Sequence, residues 1–125
     1  FVGKTNKVEA NIEIAGTQAI ARLSNGRALA LGKRPDLTIG GAVLSIRPES
    51  ITMKRTTAKS DAILSGTITH RIFLGASAEY VVDVQGVGDI MVATDGRTGT
   101  NTAVFERGDR IDIQVARSVP RVFAD

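Results

Sequence analysis

The chain has 125 residues, 42% of them hydrophobic, which is enough for one domain or two very small lobes with a packed interior. It contains no cysteine, so a disulfide framework and a thiolate zinc site are excluded. The net charge of +3 comes from 16 basic and 13 acidic residues spread along the chain, and this balance gives poor support for a polyanionic partner. No apolar run is long enough to span a membrane as a helix.

The first residues with a clear pattern are 8–14, where apolar and polar side chains alternate. This period of two predicts a strand with one solvated face, and a second strand follows the turn at Gly16. Further on, Asn25 and Gly26 predict a β-hairpin with a type I′ turn, because this pair tolerates the positive φ that both central positions need.

A third turn signal leads to the stretch that carries the most distinctive charges. Gly40 and Gly41 permit a chain reversal before a short apolar strand, which ends at Pro48. Arg47 and Glu49 flank this proline. They can form a local ion pair, or they can present a fixed cation and anion to a neighbouring lobe or subunit.

Residues 54–61 are polar and predict a linker between a first lobe over 1–53 and a second lobe over 62–125. A surface loop would have the same composition, so both interpretations stay open.

The second half repeats the order of the first. A strand is predicted over 63–73, followed by a turn at Gly75, a hairpin and a polar loop. Gly108 and Asp109 then lead into a short apolar strand, as the Gly-Gly pair does in the first half. No segment has a sustained helical period, so the predicted fold is all-β, with two small OB-like β-barrel lobes in tandem. Whether the lobes share strands is left open.

The residues that could carry catalysis lack the partners they need. Gly3 begins a Gly-Lys-Thr run, but no further glycine precedes it as a phosphate-binding P-loop requires. His70 is the single histidine and is more typical of a surface strand residue than of a metal ligand. No catalytic residue, metal site or cofactor is therefore expected in this chain.

Two binding functions are weighed as alternatives. The loop over 95–102 is rich in glycine and hydroxyl groups, which suits a small-ligand or oxyanion sensor. The other alternative is a single-strand nucleic-acid-binding OB module, but such a module needs exposed aromatic side chains on which bases stack. Tyr80 and Phe73 are the strand aromatics available, and a core position is favoured for each, so no nucleic-acid partner is expected.

Several motifs in one order resemble a known family. FVGKTN at residues 1–6 resembles the segment that follows the ATPase domain in import-type ABC transporter ATP-binding subunits, and IRPESI at 46–51 resembles a motif of their C-terminal regulatory domain. FLG at 73–75, Tyr80 and FERGD at 105–109 fall where that family has similar residues. The first motif is more similar to that of members that import polyamines or ferric iron than to that of sugar importers.

The resemblance implies a regulatory domain of transport-associated OB repeats (TOBE). Such a domain pairs with a second copy, joins permease subunits on the cytoplasmic side of the inner membrane, and in some members receives an inhibitor or small ligand. ATP and Mg²⁺ would belong to an ATPase domain that this sequence does not contain. The second lobe has Pro120 near its end but no Arg-Pro-Glu of its own, so Arg47, Pro48 and Glu49 are predicted to make a contact specific to one lobe.

Overall fold

The computed structural model describes residues 5–57, 64–75, 77–95, 105–116 and 119–124. Within these residues the chain forms ten β-strands and one short 3₁₀ helix. The strands of the first half are β1 (Asn6–Ala15), β2 (Gln18–Leu23), β3 (Ala28–Gly32), β4 (Gly40–Ile46) and β5 (Ile51–Arg55). Those of the second half are β6 (Leu64–Leu74), β7 (Ser77–Val84), β8 (Gly88–Asp95), β9 (Arg110–Val115) and β10 (Arg121–Ala124). None of the helical structure described is long and apolar enough to cross a membrane.

The strands form two antiparallel sheets with the same internal order. The first sheet runs β10-β4-β1-β2-β3, and the second runs β5-β9-β6-β7-β8. The two orders coincide when β1 to β4 are matched with β6 to β9. In each sheet the fifth strand comes from the other half of the chain, because β5 pairs with β9 and β10 pairs with β4. The prediction of an all-β fold with two OB-like lobes is confirmed, and the lobes exchange their last strands.

This exchange bears on the lobe boundary that the sequence places after residue 53. Met53, assigned to the first lobe, and Lys54, assigned to the linker, both lie in β5 and pair with β9 of the second sheet. Residues 58–61 of the linker lie outside the described residues. A boundary drawn by sheet membership falls between β4 and β5, while the boundary along the chain stays a prediction.

The interior is built from strand residues that alternate between core and solvent. In β1, Val8, Ala10 and Ile12 are buried and the residues between them are exposed, as the period of two predicts. Ile14 lies on the same face but is 40% exposed, so β1 leaves the core before it ends. Buried residues of both sheets belong to one hydrophobic cluster. Burial of each valine, leucine or isoleucine side chain contributes about 1.5–3 kcal/mol.

The β2–β3 hairpin lies where the sequence predicts it, but the type I′ turn is wrong. Gly26 has a φ of 81°, whereas no other residue type in the described part of the chain has a positive φ, so Asn25 does not adopt the left-handed conformation. The Gly26 N–H donates to the Leu23 carbonyl at 2.9 Å, and the Asn25 Oδ1 accepts the Arg27 N–H at the same distance. The asparagine therefore stabilises the turn with its side chain, and glycine alone takes the strained φ.

The other residues predicted at turns lie at the ends of strands or directly beside them. Gly40 and Gly41 are the first two residues of β4, and Gly75 lies between β6 and β7. Gly108 and Asp109 directly precede β9.

Candidate functional site

The chain passes from the first sheet to the second through a short segment between β4 and β5. A 3₁₀ helix spans Pro48–Ser50, and the Ser50 N–H donates to the Arg47 carbonyl at 3.0 Å. Pro48 is buried, and this helix packs against β8 of the second sheet. Because proline fixes its own φ and is held by this packing, the backbone of the crossover is restrained to one conformation.

Two charged side chains project from this restrained backbone. Arg47 and Glu49 are both exposed, on either side of the buried Pro48. Within the described part of the chain neither side chain makes a hydrogen bond or an ion pair. The local ion pair considered from the sequence is not formed, so the crossover presents a cation and an anion to solvent on a restrained backbone.

A second group of charged and aromatic side chains lies at one end of the second lobe. The Phe105 ring is buried and packs edge-on against Tyr80, with ring centroids 5.9 Å apart and an interplanar angle of 82°. The Arg55 guanidinium lies 5.1 Å from the Phe105 ring centroid, and Arg71 Nη1 donates to the Phe105 carbonyl at 2.9 Å. Arg71 also lies over the exposed Phe73 ring, 4.7 Å from its centroid. We call Arg55, Arg71, Phe73, Tyr80 and Phe105 the Phe105 cluster.

The turn before β9 supports this cluster through Asp109. Its carboxylate accepts the Glu106 N–H at 2.9 Å and pairs with Arg55 at 3.2 Å. The hydrogen bond from the Glu106 backbone lowers the pKa of Asp109, and the charges of Arg55 and Arg71 add to this effect. Asp109, expected from the sequence only as a turn residue, therefore also orients Arg55 beside the Phe105 ring.

The sequence identifies some members of the Phe105 cluster but does not bring them together. Tyr80 is 1% exposed and is a core aromatic as expected, whereas Phe73 is 56% exposed and the core position favoured for it is wrong. Phe73 lies two residues before the turn at Gly75, where β6 extends past the buried interior. Arg55 and Arg71 were missed. A signal for Arg71 exists, since it lies two residues before Phe73 and so on the same face of β6.

Exposed aromatic rings do not form one stacking surface in the described residues. Phe73 lies on β6 in the second sheet, and Phe123, which is 55% exposed, lies on β10 in the first. Tyr80 and Phe105 are buried and cannot stack on bases.

Asn6, which the sequence places only within a motif, joins the two sheets. Its Nδ2 donates to the Met91 carbonyl at 2.8 Å, and its Oδ1 accepts the Met91 N–H at 2.7 Å. Both backbone groups of one residue on β8, an outer strand of the second sheet, are thereby satisfied. No local signal could have revealed a partner 85 positions away in the sequence.

A cavity of about 420 Å³ lies at the end of the first lobe that corresponds to the Phe105 cluster in the second. The β1–β2 turn and the loop from β3 to β4 form its walls, with Ile14, Gly16, Thr17, Lys33, Arg34, Pro35 and Leu37. A smaller, polar depression of about 220 Å³ lies on the first sheet beside Arg22. Arg22 already pairs with Glu13 at 3.1 Å, which lowers the pKa of Glu13, so this second depression has no free cation to offer.

The remaining candidates from the sequence are His70, a metal site and the loop over 95–102, and the described residues form no site at any of them. His70 is exposed, and its Nδ1 lies 3.1 Å from the Thr69 hydroxyl. Across the described ranges, no three or more His, Cys, Asp or Glu side chains gather as a metal ion would need. Residues 96–102 of the loop considered for an oxyanion lie outside the described residues.

Comparison with known proteins decides the family. A model of the TOBE domain matches residues 44–123, which is more than half of the chain. The chain belongs to the TOBE domain family. The matched part runs from β4 to β10, so it includes the crossover, the Phe105 cluster and the strand that returns to the first sheet. A search of curated protein sequences gives no significant match.

The TOBE domain also resembles a solved structure over nearly its whole length. ModG, a cytoplasmic molybdate-binding protein, superposes with a TM-score of 0.74 at 15% sequence identity, over 96% of each chain. At this identity the likeness shows the fold, including its two lobes. The TOBE part of the sequence-based family prediction is confirmed, while the ABC transporter affiliation and the solute group stay predictions.

Proposed function

We propose that this TOBE domain is the regulatory and subunit-pairing domain of an ABC import ATPase subunit, with no catalytic activity of its own. The resemblances at residues 1–6 and 46–51 support this affiliation and, within it, the polyamine and ferric-iron-like group. ATP and Mg²⁺ would be bound by an ATPase domain that this sequence does not contain. The domain would then couple ATP hydrolysis there to solute uptake.

The observation that carries the proposal is the pair of exposed charges at the crossover. Arg47 and Glu49 are held on a backbone restrained by the buried Pro48, and neither has a partner within the described residues. Because the backbone between them is already restrained, little backbone entropy is lost when the two side chains bind, which favours a specific contact with another chain.

A second copy of the domain is the partner that we propose for these charges. Most homo-oligomers are dimers in which the same surface of each subunit takes part, so an Arg and a Glu close together can exchange contacts with their counterparts. In the full transporter the paired domains would lie on the cytoplasmic side of the inner membrane, against the permease subunits.

Sedimentation velocity over a wide range of protein concentrations tests the pairing. We expect a reversible dimer, and Arg47→Ala should raise its dissociation constant about tenfold, the effect of losing one arginine anchor at an interface. Arg121→Ala is the comparison variant, because Arg121 is also exposed and directly follows Pro120, and β10, which contains it, belongs to the first sheet. A strict monomer at all concentrations, or equal effects of the two substitutions, would contradict the proposal.

A second candidate function is supported by the likeness to ModG, whose ligand is molybdate. The domain would then bind a small oxyanion, with the loop over 95–102 near the site. Titration calorimetry with molybdate, sulfate and phosphate, with a polyamine as a cationic comparison, separates this function from the first. Oxyanion binding without dimer formation would favour the second candidate.

A further inference from the structure

The cavity at the end of the first lobe has the size and the lining of a small-molecule site. Its volume of about 420 Å³ lies within the ~300–1,000 Å³ range of ligand pockets. Ile14, Pro35 and Leu37 supply an apolar wall, and Thr17 supplies a hydroxyl group. Ile14 is 40% exposed, so a bound apolar group would remove further hydrophobic surface from water.

The charged side chains that line the cavity are basic. Lys33 and Arg34 both line the cavity, and among the described residues no acidic side chain does. Glu13, which precedes Ile14, is engaged with Arg22 at 3.1 Å, and Asp36 is exposed but is not part of the lining. Complementarity of charge therefore selects an anionic group in the ligand.

The loop that forms this wall is held in place before any ligand arrives. The Leu37 N–H donates to the Arg34 carbonyl at 3.1 Å, which closes a turn that has Pro35 at its second position. Arg34 Nε donates to the Leu31 carbonyl at 3.2 Å, which anchors the guanidinium to the end of β3. A preformed cavity costs little ordering when a ligand binds.

The second lobe indicates which kind of group the barrel end accepts. There the connection from β8 to β9 brings Phe105 into the interior, with Arg55 beside its ring and Arg71 on its carbonyl. In the first lobe the matching connection, from β3 to β4, contains no aromatic residue, and the cavity is present instead. Among the described residues, the second-lobe end thus contains an aromatic ring next to cations, whereas the first-lobe end contains a cavity.

We propose that the first-lobe cavity binds a small organic anion, with an apolar body about the size of an aromatic ring against Ile14 and Leu37 and a carboxylate toward Lys33. The volume greatly exceeds the ~30 Å³ that one water molecule occupies, so a tetrahedral oxyanion would leave most of the cavity hydrated. The proposal goes beyond the pairing function and does not depend on it.

The test is an amide NMR titration of the isotope-labelled chain with sodium benzoate and, separately, sodium hexanoate. We expect saturable shifts at Gly16, Thr17 and Leu37 with at least one of these carboxylates. Benzamide has the same ring without the charge. Its dissociation constant should be at least about fivefold higher than that of benzoate, as loss of one exposed charge contact predicts. The absence of saturable shifts at these amides with both carboxylates would overturn the proposal.

Two further outcomes of the titration would identify a different occupant of the cavity. Molybdate or sulfate that binds the same amides as tightly as benzoate would overturn the requirement for an apolar body. Shifts at these amides that depend on protein concentration alone would assign the cavity to a second copy of the chain and would also overturn the proposal.

Substitution of the cavity lysine supplies the matched control. Lys33 is exposed and its replacement should not disturb folding, so Lys33→Gln should weaken benzoate binding about fivefold. Lys7→Gln, which removes an exposed lysine from β1, should leave the affinity unchanged. An equal loss in the two variants would show a general charge effect and contradict a site at Lys33.

Discussion

The two lobes share one strand order but differ in the side chains that occupy their corresponding ends. In the second lobe Phe105 and Tyr80 fill the barrel end, whereas the first lobe has Ala19 and Ala21 among its buried residues and an open cavity nearby. Aromatic rings bury far more surface than alanine, so the second lobe gains packing at the place where the first retains space. One strand order thus holds a buried aromatic pair at one end and a cavity at the corresponding end in the described residues.

The largest expected effect comes from removing the aromatic ring that closes the second lobe. Phe105→Ala should lower the free energy of unfolding by about 3–5 kcal/mol, because it leaves a cavity beside Tyr80. Leu37→Ala, in the matching loop of the first lobe, should cost about 1–2 kcal/mol, because Leu37 is only partly buried. Urea unfolding measures both, and equal losses would show that the two ends are packed alike.

Gly66 tests a second difference between the lobes. Gly66 pairs with Val84 and Ile111 as Ala10 pairs with Leu23 and Ala42 in the first sheet.

A Cβ atom at Gly66 would overlap the Asp83 carbonyl, 2.7 Å from its carbon, so Gly66→Ala should destabilise by about 1–3 kcal/mol or more. The reverse substitution, Ala10→Gly, should cost only about 0.5–1 kcal/mol through backbone entropy. Thermal unfolding of both variants provides the measurement, and a neutral Gly66→Ala would contradict the steric role of this glycine between β6 and β7.

The Asn6 contact tests how firmly the two sheets are joined. Asn6→Ala leaves the N–H and the carbonyl of Met91 without their partner, so we expect a loss of about 1–3 kcal/mol. Asn11→Ala, at an exposed position of the same strand, should change stability by less than about 0.5 kcal/mol. Hydrogen exchange of the Met91 amide gives an independent readout, which should accelerate in Asn6→Ala alone.

The smallest expected effect is the pH dependence that Asp109 contributes. Its pKa is lowered in the folded domain, so its contribution is present above the unfolded-state pKa and is lost as the pH falls through the folded-state pKa. Between about pH 5 and pH 2 the wild type should lose more stability than Asp109→Asn does. Asp89→Asn, at an exposed position of β8, is the control. If the stability of Asp109→Asn and of the wild type falls in parallel with pH, Asp109 does not contribute this pH dependence.

The sequence reveals much of the local structure and little of the candidate sites. Alternation in β1, the hairpin at Asn25 and Gly26, and the repeated order of turns are all visible, because each depends on neighbours within a few residues. The exposed charges at Arg47 and Glu49 were also predictable, since a proline fixes the chain between them. The Phe105 cluster was not, because Arg55 and Phe105 come from distant parts of the sequence.

The sequence by itself determined an all-β chain of two similar halves, since periodicity and turn residues act locally. Only the tertiary structure decided that β5 and β10 exchange sheets, that Asn6 reaches Met91, and that a cavity remains where the second lobe has Phe105. The physical reason is that strand pairing and core filling depend on which distant residues meet. A pattern of alternating residues shows that a strand will form, but it does not specify its partner.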